Sequence, residues 1–369
     1  MVNKITYKDT GVNYEDMDPF KIAAQTASKE TAKNIERFNL KEVEASRGES
    51  AYLIEAADCY YAHVEEGLGT KNLVAEAMQK LTGKLYFDQI AQCGVAMIVN
   101  DLITLGALPV SVEMHLGVGD SAWFKDVERA NNLIDGWKKA CNLARCNWGG
   151  GETPTLKGII NPDTILLSGS AFGLIKPKEK RIVGKIQDGD AIIIFASSGI
   201  HANGITLARA IADKLPQGYL TPIDETGLTY GEAILEPTII YVPIIEDCQK
   251  AGIDIHYASN ITGHGWRKFM RHTEPFVYVI KEIPEPQPVF KIIQQYGPVS
   301  DEEAYGNLNM GAGFALYVPA KDVAKVLAVA KQNNIGALVA GHIEKRGERK
   351  KVIIEPKGII FESESLNLR

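Results

Sequence analysis

Strand-like and helix-like segments alternate along most of this chain, and one run of charge divides the alternation in two. The run is KPKEKRI, residues 176–182, between the apolar stretches TILLSGSAFGLI and DAIIIFASSGI. Before it, AYLIEAA and YYAHVEE read as strands. FDQIAQCGVAMIVNDLITLG carries apolar residues at helical spacing with Gly106 as a stop, and LPVSVEMHLGV returns to a strand pattern. After it come the strand DAIIIFAS, the helix NGITLARAIADKL and a long helix AILEPTIIYVPIIEDCQKAG. Further strand and helix patterns alternate to GALVAGHI. Interleaving of this kind predicts an α/β (α+β) class. At 369 residues the chain is longer than one core usually spans, so two domains are expected. The boundaries read as an N-terminal extension 1–50, a first domain 51–175, a second domain 183–346 and a tail 347–369 that ends in a frayed FESESLNLR. Within the extension, DPFKIAAQTASKETAKNIERF predicts a helix with Asp18 as N-cap and Pro19 at its first position.

A formal net charge of -6 argues against nucleic acid as the main partner. Five cysteines, an odd number with no CxxC pair, argue against a disulfide framework or structural zinc and fit a reducing cytoplasm. The polar start MVNKITYKDT is not a signal peptide by pattern. No apolar run reaches the ~18 residues of a membrane helix, so no membrane partner is expected.

HVEEGLGTKN, residues 63–72, raises the question of phosphate. Gly67, Leu68, Gly69, Thr70 and Lys71 fail the order of a Walker A loop and of G-x-G-x-x-G, so alone they read as a turn or as a phosphate site. Other spots bear on the choice. Asn100 and Asp101 interrupt an apolar helical pattern, where a buried carboxylate needs a partner, although Asp101 could face solvent or cap a helix end. Glu152 follows three glycines that let backbone approach a ligand, or that form a plain loop. Glu66, Asp101 and Glu152 together would make an oxygen-rich site for Mg²⁺, which favours carboxylates plus substrate phosphates. Lys71 and the glycine amides would then hold the remaining phosphate charge. In the second half, ASSGIHANGITLARAI leads small polar residues into a helix start, an anion-binding arrangement. His201 there is an acid, a base, a phosphate ligand or a surface histidine. Thr262 to Gly265 form a second glycine-rich turn suited to phosphate or ribose.

Eight stretches in order resemble the aminoimidazole ribonucleotide (AIR) synthetase family, also called phosphoribosylformylglycinamidine cyclo-ligase. They are YKDTGV (7–12), EGLGTK (66–71), VNDLITLGALP (99–109), GGETP (150–154), SSGIHANG (197–204), GEAILEPTIIYV (231–242), NITGHG (260–265) and NMGAGF (309–314). The resemblance implies two α/β halves, with the N-terminal halves of a homodimer sharing a β-barrel and ATP sites near the subunit interface. It implies ATP-dependent ring closure of formylglycinamidine ribonucleotide with Mg²⁺. Carried over, Lys8, Gly67, Gly69, Thr70, Lys71 and Asn100 would contact ATP, and Glu66, Asp101 and Glu152 would hold the metal. Ser198, His201, Asn203, Thr262 and Asn309 would face the substrate, while Gly311 helps shape the cleft. Asp101, His201 and Lys71 would be catalytic. The sequence departs from the family pattern in several places: Glu66 stands for an aspartate, Asn260 for a histidine and His264 for a glycine, the strand VSVEMHLG has Glu113 as its nearest acid, one place off, and GGETP is followed by TLKG. These departures keep a second reading open, a divergent paralogue that acts on another substrate or binds nucleotide without turnover.

Overall fold

The computed structural model of the protein describes residue 11 and residues 14–366. The first domain is built from α1 (Tyr14–Lys29), β1 (Lys41–Glu42), β2 (Tyr52–Glu55), β3 (Tyr60–Gly67), α2 (Lys71–Thr82), α3 (Phe87–Leu102), β4 (Leu108–Val118), α4 (Val127–Leu143), β5 (Asn147–Glu152) and β6 (Ile165–Ile175). Its six strands run in the order β1-β2-β3-β6-β4-β5. The second domain contains β7 (Ala191–Ala196), α5 (Ile205–Ala212), β8 (Pro222–Ile223), β9 (Leu228–Thr229), α6 (Tyr230–Leu235), α7 (Val242–Lys250), β10 (Tyr257–Asn260) and β11 (Val277–Ile280). It continues with α8 (Pro288–Tyr296), α9 (Asp301–Asn307), β12 (Ala312–Val318), α10 (Val323–Gln332), β13 (Ala337–Glu344), β14 (Lys351–Ile354) and β15 (Ile359–Glu362). Seven of these strands form one sheet, β10-β12-β7-β13-β11-β14-β15. The expected α/β organisation is thus present, and residues 176–182 lie between the last strand of the first sheet and the first strand of the second.

The two sheets differ in what covers them. β7 is central in its sheet, and Ile192, Ile193, Ile194 and Phe195 are wholly buried, as a continuous apolar run requires when both faces are covered. In the first domain α3 packs on β3 and β6, and α4 packs on α3. The opposite face of that sheet is open, with Leu166 and Phe172 of β6 exposed. Gly106 ends the α3 region as expected: its φ is +83°, and a Cβ there would lie 2.3 Å from the Lys180 carbonyl oxygen.

Three expectations need correction. The helix α1 starts at Tyr14, so Pro19 lies inside it rather than at its first position. The segment 347–369 is not a tail throughout. β14 and β15 complete the second sheet and bury Val352, Ile354, Ile359 and Phe361, so the apolar alternation in KVIIEPKGIIFE outweighs the polar end. The helix expected over 233–252 is broken. α6 ends at Leu235 and α7 begins at Val242, because Pro237 removes a donor and drives Glu236 out of helical space to φ -44°, ψ 127°.

That break positions the site. The non-helical backbone from 236 to 241 leaves polar groups that no helix satisfies, and first-domain side chains satisfy several of them. Gln92 Nε2 donates to Thr238 O at 3.0 Å. Asn100 Nδ2 donates to Ile239 O at 2.8 Å, and Asn100 Oδ1 accepts from Tyr241 N–H at 2.9 Å. Lys71 Nζ donates to Glu236 O at 2.8 Å. The two domains are therefore zipped together beside the cleft.

Candidate active site

The cleft lies where the end of β3, the last turn of α3, the turn after β10 and α1 meet. Its cavity, about 390 Å³, is lined by Glu66, Asp101, Asn203, Thr262, Lys268 and Arg271 among others. Lys21 and Gln25 of α1 also border it. Glu66 is the last inward-facing residue of β3, and Asp101 is buried on α3. Burial and the neighbouring Asp101 charge push the Glu66 carboxyl up to about 7. Asn260, at the end of β10, reaches across the domain boundary and donates from Nδ2 to Asp101 Oδ1 at 2.6 Å. A position where the sequence departs from the pattern it resembles thus holds one oxygen of the acidic pair. Two like-charged carboxylates in one buried cleft suit a divalent cation, which would keep both ionised. Mg²⁺ commonly takes one or two carboxylates and completes its shell with water and phosphate. Glu66 and Asp101 fit that role.

Glu152 does not join them within this chain. It is exposed on the edge strand β5, and Glu66 is reached only through β4 and β6, three strand spacings or roughly 14 Å away. No group of three or more potential metal-ligating side chains exists among the described residues. The three-carboxylate cluster expected from the sequence is corrected to a pair.

Lys71 is the second correction. Its side chain is fully buried, and Nζ donates to Cys93 Sγ at 3.1 Å, His201 O at 2.8 Å and Glu236 O at 2.8 Å. An ammonium has three donors, and here all three are used, so none is left for phosphate. His201 is the third. It is buried at φ +60°, its Nε2 accepts the Ser198 N–H at 3.2 Å, and burial with the Lys71 charge pushes its pKa down to about 3. A neutral, enclosed imidazole is neither a phosphate ligand nor an acid–base group at neutral pH. Asn100 is occupied by the zipper described above. Asn309 is likewise a brace: it donates to Gly199 O at 2.9 Å and accepts from Ser197 Oγ and Gly311 N–H at 3.0 Å each. The Ser198 hydroxyl donates to Pro237 O at 2.5 Å.

Asn203 and Thr262 do line the cleft. Gly67 and Gly69 are exposed beside Glu66, and Thr70 Oγ1 lies 3.5 Å from Thr206 Oγ1. Gly311 takes φ +91° next to Pro284. Lys8 lies outside the described residues. Sequence reasoning missed Lys268 and Arg271, although GHGWRKFMRH places three cations directly after the second glycine turn. Arg271 pairs with Glu49 at 3.3 Å and donates to Gly48 O at 2.8 Å.

Comparison with known proteins agrees with this architecture. The family described as AIR synthase related protein, N-terminal domain, matches residues 48–175, and its C-terminal domain counterpart matches 187–353. A phosphoribosylformylglycinamidine cyclo-ligase from Methanocaldococcus jannaschii is 35% identical over 92% of this chain and 92% of its own. Another from Caldicellulosiruptor saccharolyticus is 34% identical over 92% of this chain and 97% of its own. Among solved structures, AaThiL complexed with AMPPCP and TMP superposes with a TM-score of 0.56 at 16% identity, covering 85% of this chain and 91% of that one. T. maritima PurL complexed with ADP gives 0.51 at 14% identity, covering 82% and 43%. These last two are likenesses of fold. With both domain families matched over most of its length and relatives above 30% identity over 92% of it, the chain belongs to the AIR synthetase family.

Proposed function

We propose that the protein is a phosphoribosylformylglycinamidine cyclo-ligase. It uses ATP to phosphorylate the formyl amide oxygen of formylglycinamidine ribonucleotide and closes the imidazole ring with release of ADP and phosphate. The observation that carries the reading is the cleft itself. An acidic pair, half-buried Glu66 and buried Asp101, faces the cations Lys268 and Arg271 across one cavity between the two domains. An amide oxygen is a poor leaving group and a phosphorylated one is good, so the protein's task is to place two anionic substrates and offset their charge. Mg²⁺, held by Glu66 and Asp101, would supply charge neutralisation at the transferred phosphate. Asn260 fixes the Asp101 carboxylate from the opposite domain. The Lys71 and Asn100 contacts hold the 236–241 segment, and with it the cleft wall, in register. Asn203 and Thr262 present polar atoms to the ribonucleotide. Gly69, exposed beside the acidic pair, offers its backbone amide to ATP phosphates.

A homodimer accords with the open face of the first-domain sheet, where Leu166 and Phe172 are exposed. In a shared barrel that face would be covered by the partner subunit. Among the described residues no helix is long and apolar enough to cross a membrane. The departures at Glu66, Asn260 and His264 do not favour the paralogue reading. Charge is kept at Glu66, Asn260 takes up a defined contact to Asp101, and burial and the nearby Lys268 charge hold His264 neutral with its pKa pushed down to about 4.

The test is ADP release by the purified protein with Mg-ATP, with and without formylglycinamidine ribonucleotide. Release that depends on the ribonucleotide, with aminoimidazole ribonucleotide as product, is expected. ATP binding without ribonucleotide-dependent release would instead favour the paralogue.

A further inference from the structure

One cation in the cleft has carboxylates near it but no ion-pair contact with any of them among the described residues. Lys268 sits in the short 3-10 turn Gly265–Met270, and the buried Trp266, Phe269 and Met270 draw that turn into the second-domain core. Lys268 is carried in with them and is 6% exposed. Its Nζ donates to Thr262 Oγ1, its one hydrogen-bond partner among the described residues, and there it forms no ion pair. Asp101, Glu66 and Glu49 act on it through space, while Arg271 opposes them. Burial outweighs the acids and brings its pKa down to about 8. Arg271, by contrast, has a carboxylate beside it, Glu49 at 3.3 Å, and donates from its guanidinium to Gly48 O at 2.8 Å. An ammonium with two of three donors unused, buried against a cavity, is a costly arrangement unless an anion completes it.

The geometry of the turn suits such an anion. His264 and Gly265 take left-handed backbone, φ +69° and +50°, and a Cβ at Gly265 would lie 2.3 Å from the Tyr305 carbonyl oxygen. The turn is therefore fixed from behind, with Thr262, Gly263, His264 and Lys268 all lining the cavity. We propose that Lys268, with Thr262 and the Gly263–Gly265 turn, is an anion site that holds a phosphoryl group of a bound nucleotide. That the group belongs to a nucleotide rests on the cyclo-ligase reading, whereas the anion site itself does not. The group is either an ATP phosphate or the 5′-phosphate of the ribonucleotide, which share this chemistry. Lys71, the lysine of the first glycine turn, does not perform this task.

The experiment uses the full-length protein, Lys268→Met and Lys268→Arg. Inorganic phosphate raises the melting temperature of the wild type and leaves that of Lys268→Met unmoved, with Lys268→Arg between them. Without phosphate, Lys268→Met melts at or above the wild-type temperature, because an unpaired buried charge has been replaced by an apolar chain of similar length. Calorimetric titrations then separate the two sources. If the affinity of a non-hydrolysable ATP analogue falls roughly 10- to 100-fold in Lys268→Met, an ATP phosphate is held. If the ribonucleotide loses its advantage over the corresponding riboside, the 5′-phosphate is held. No phosphate response in the wild type, or an equal response in Lys268→Met, overturns the anion site. Both affinities unchanged within about 2-fold overturn its assignment to a nucleotide. Absence of ribonucleotide-dependent ADP release from the wild type would overturn the cyclo-ligase reading alone, since the phosphate melts need neither substrate.

Discussion

Each domain contributes a glycine-rich turn followed by a buried lysine, and the two lysines are opposites. Lys71 follows Gly67–Thr70 and spends all three donors on Cys93, His201 and Glu236. Lys268 follows Thr262–Gly265 and spends one, on Thr262. The first resembles a phosphate-binding motif and acts as a strut between domains. The second follows a turn that no phosphate-loop template describes, and it lines the cavity with two donors uncommitted. What separates a structural lysine from a ligand-binding one is thus the count of acceptors already in place, which the spacing of glycines does not report.

The largest effect is expected at the strut. Lys71→Met leaves the His201 and Glu236 carbonyls buried without a donor, at about 1–3 kcal/mol each, so unfolding stability falls by about 3 kcal/mol or more in denaturant titrations. A fall below about 1 kcal/mol would mean that the zipper does not depend on Lys71. At the acidic pair, Asp101→Asn keeps an oxygen for Asn260 and removes the charge. Activity with Mg-ATP is expected to drop about 100-fold with a melting temperature close to wild type, on the scale of losing one electrostatic contact to a transferring group. Unchanged activity would remove Asp101 from the metal site. Asn260→Ala leaves the carboxylate in place and frees its orientation, so a loss near 10-fold in apparent Mg²⁺ affinity is expected in a metal titration of the rate. An equal loss of folding stability with no change in metal dependence would make Asn260 a packing residue.

The smallest effect is a pH slope. Glu66 and Glu76 are both raised from ordinary carboxylate values to about 7, chiefly by burial. Between about 4.5 and 7 the folded state keeps protons that the unfolded chain has released. Their stability contribution is therefore complete at the acid end of that window and lost as pH rises through it, by no more than about 1.4 kcal/mol per pH unit for each group. With metal chelated, Glu66→Gln should remove one share of this slope and Glu76→Gln the other, and added Mg²⁺ should flatten only the Glu66 share. Melts of Glu66→Gln that parallel the wild type across the window would contradict the placement of Glu66.

Much of the fold was legible because it is written in local periodicity. The isoleucine run of β7, the α3 pattern with its Gly106 stop and the charged join at 176–182 each carry their own signal. The break at Pro237 was equally visible and was outweighed by the apolar residues on either side of it. Of the site, the acidic pair and Thr262 were readable from residue type and flanking turns. The roles of Lys71, His201, Asn100 and Asn309 were not. Each is decided by partners 100 or more residues away. Glu152 was misplaced for a related reason: strand order, which sets its distance from Glu66, is a property of the sheet and not of the GGGE stretch.

The most direct test of the contrast is to melt Lys71→Met and Lys268→Met side by side, with and without inorganic phosphate. The account predicts that Lys71→Met melts lower yet keeps the wild-type phosphate shift, while Lys268→Met melts no lower and loses that shift. Loss of the shift in Lys71→Met, with its retention in Lys268→Met, would contradict the account and return phosphate to the first turn.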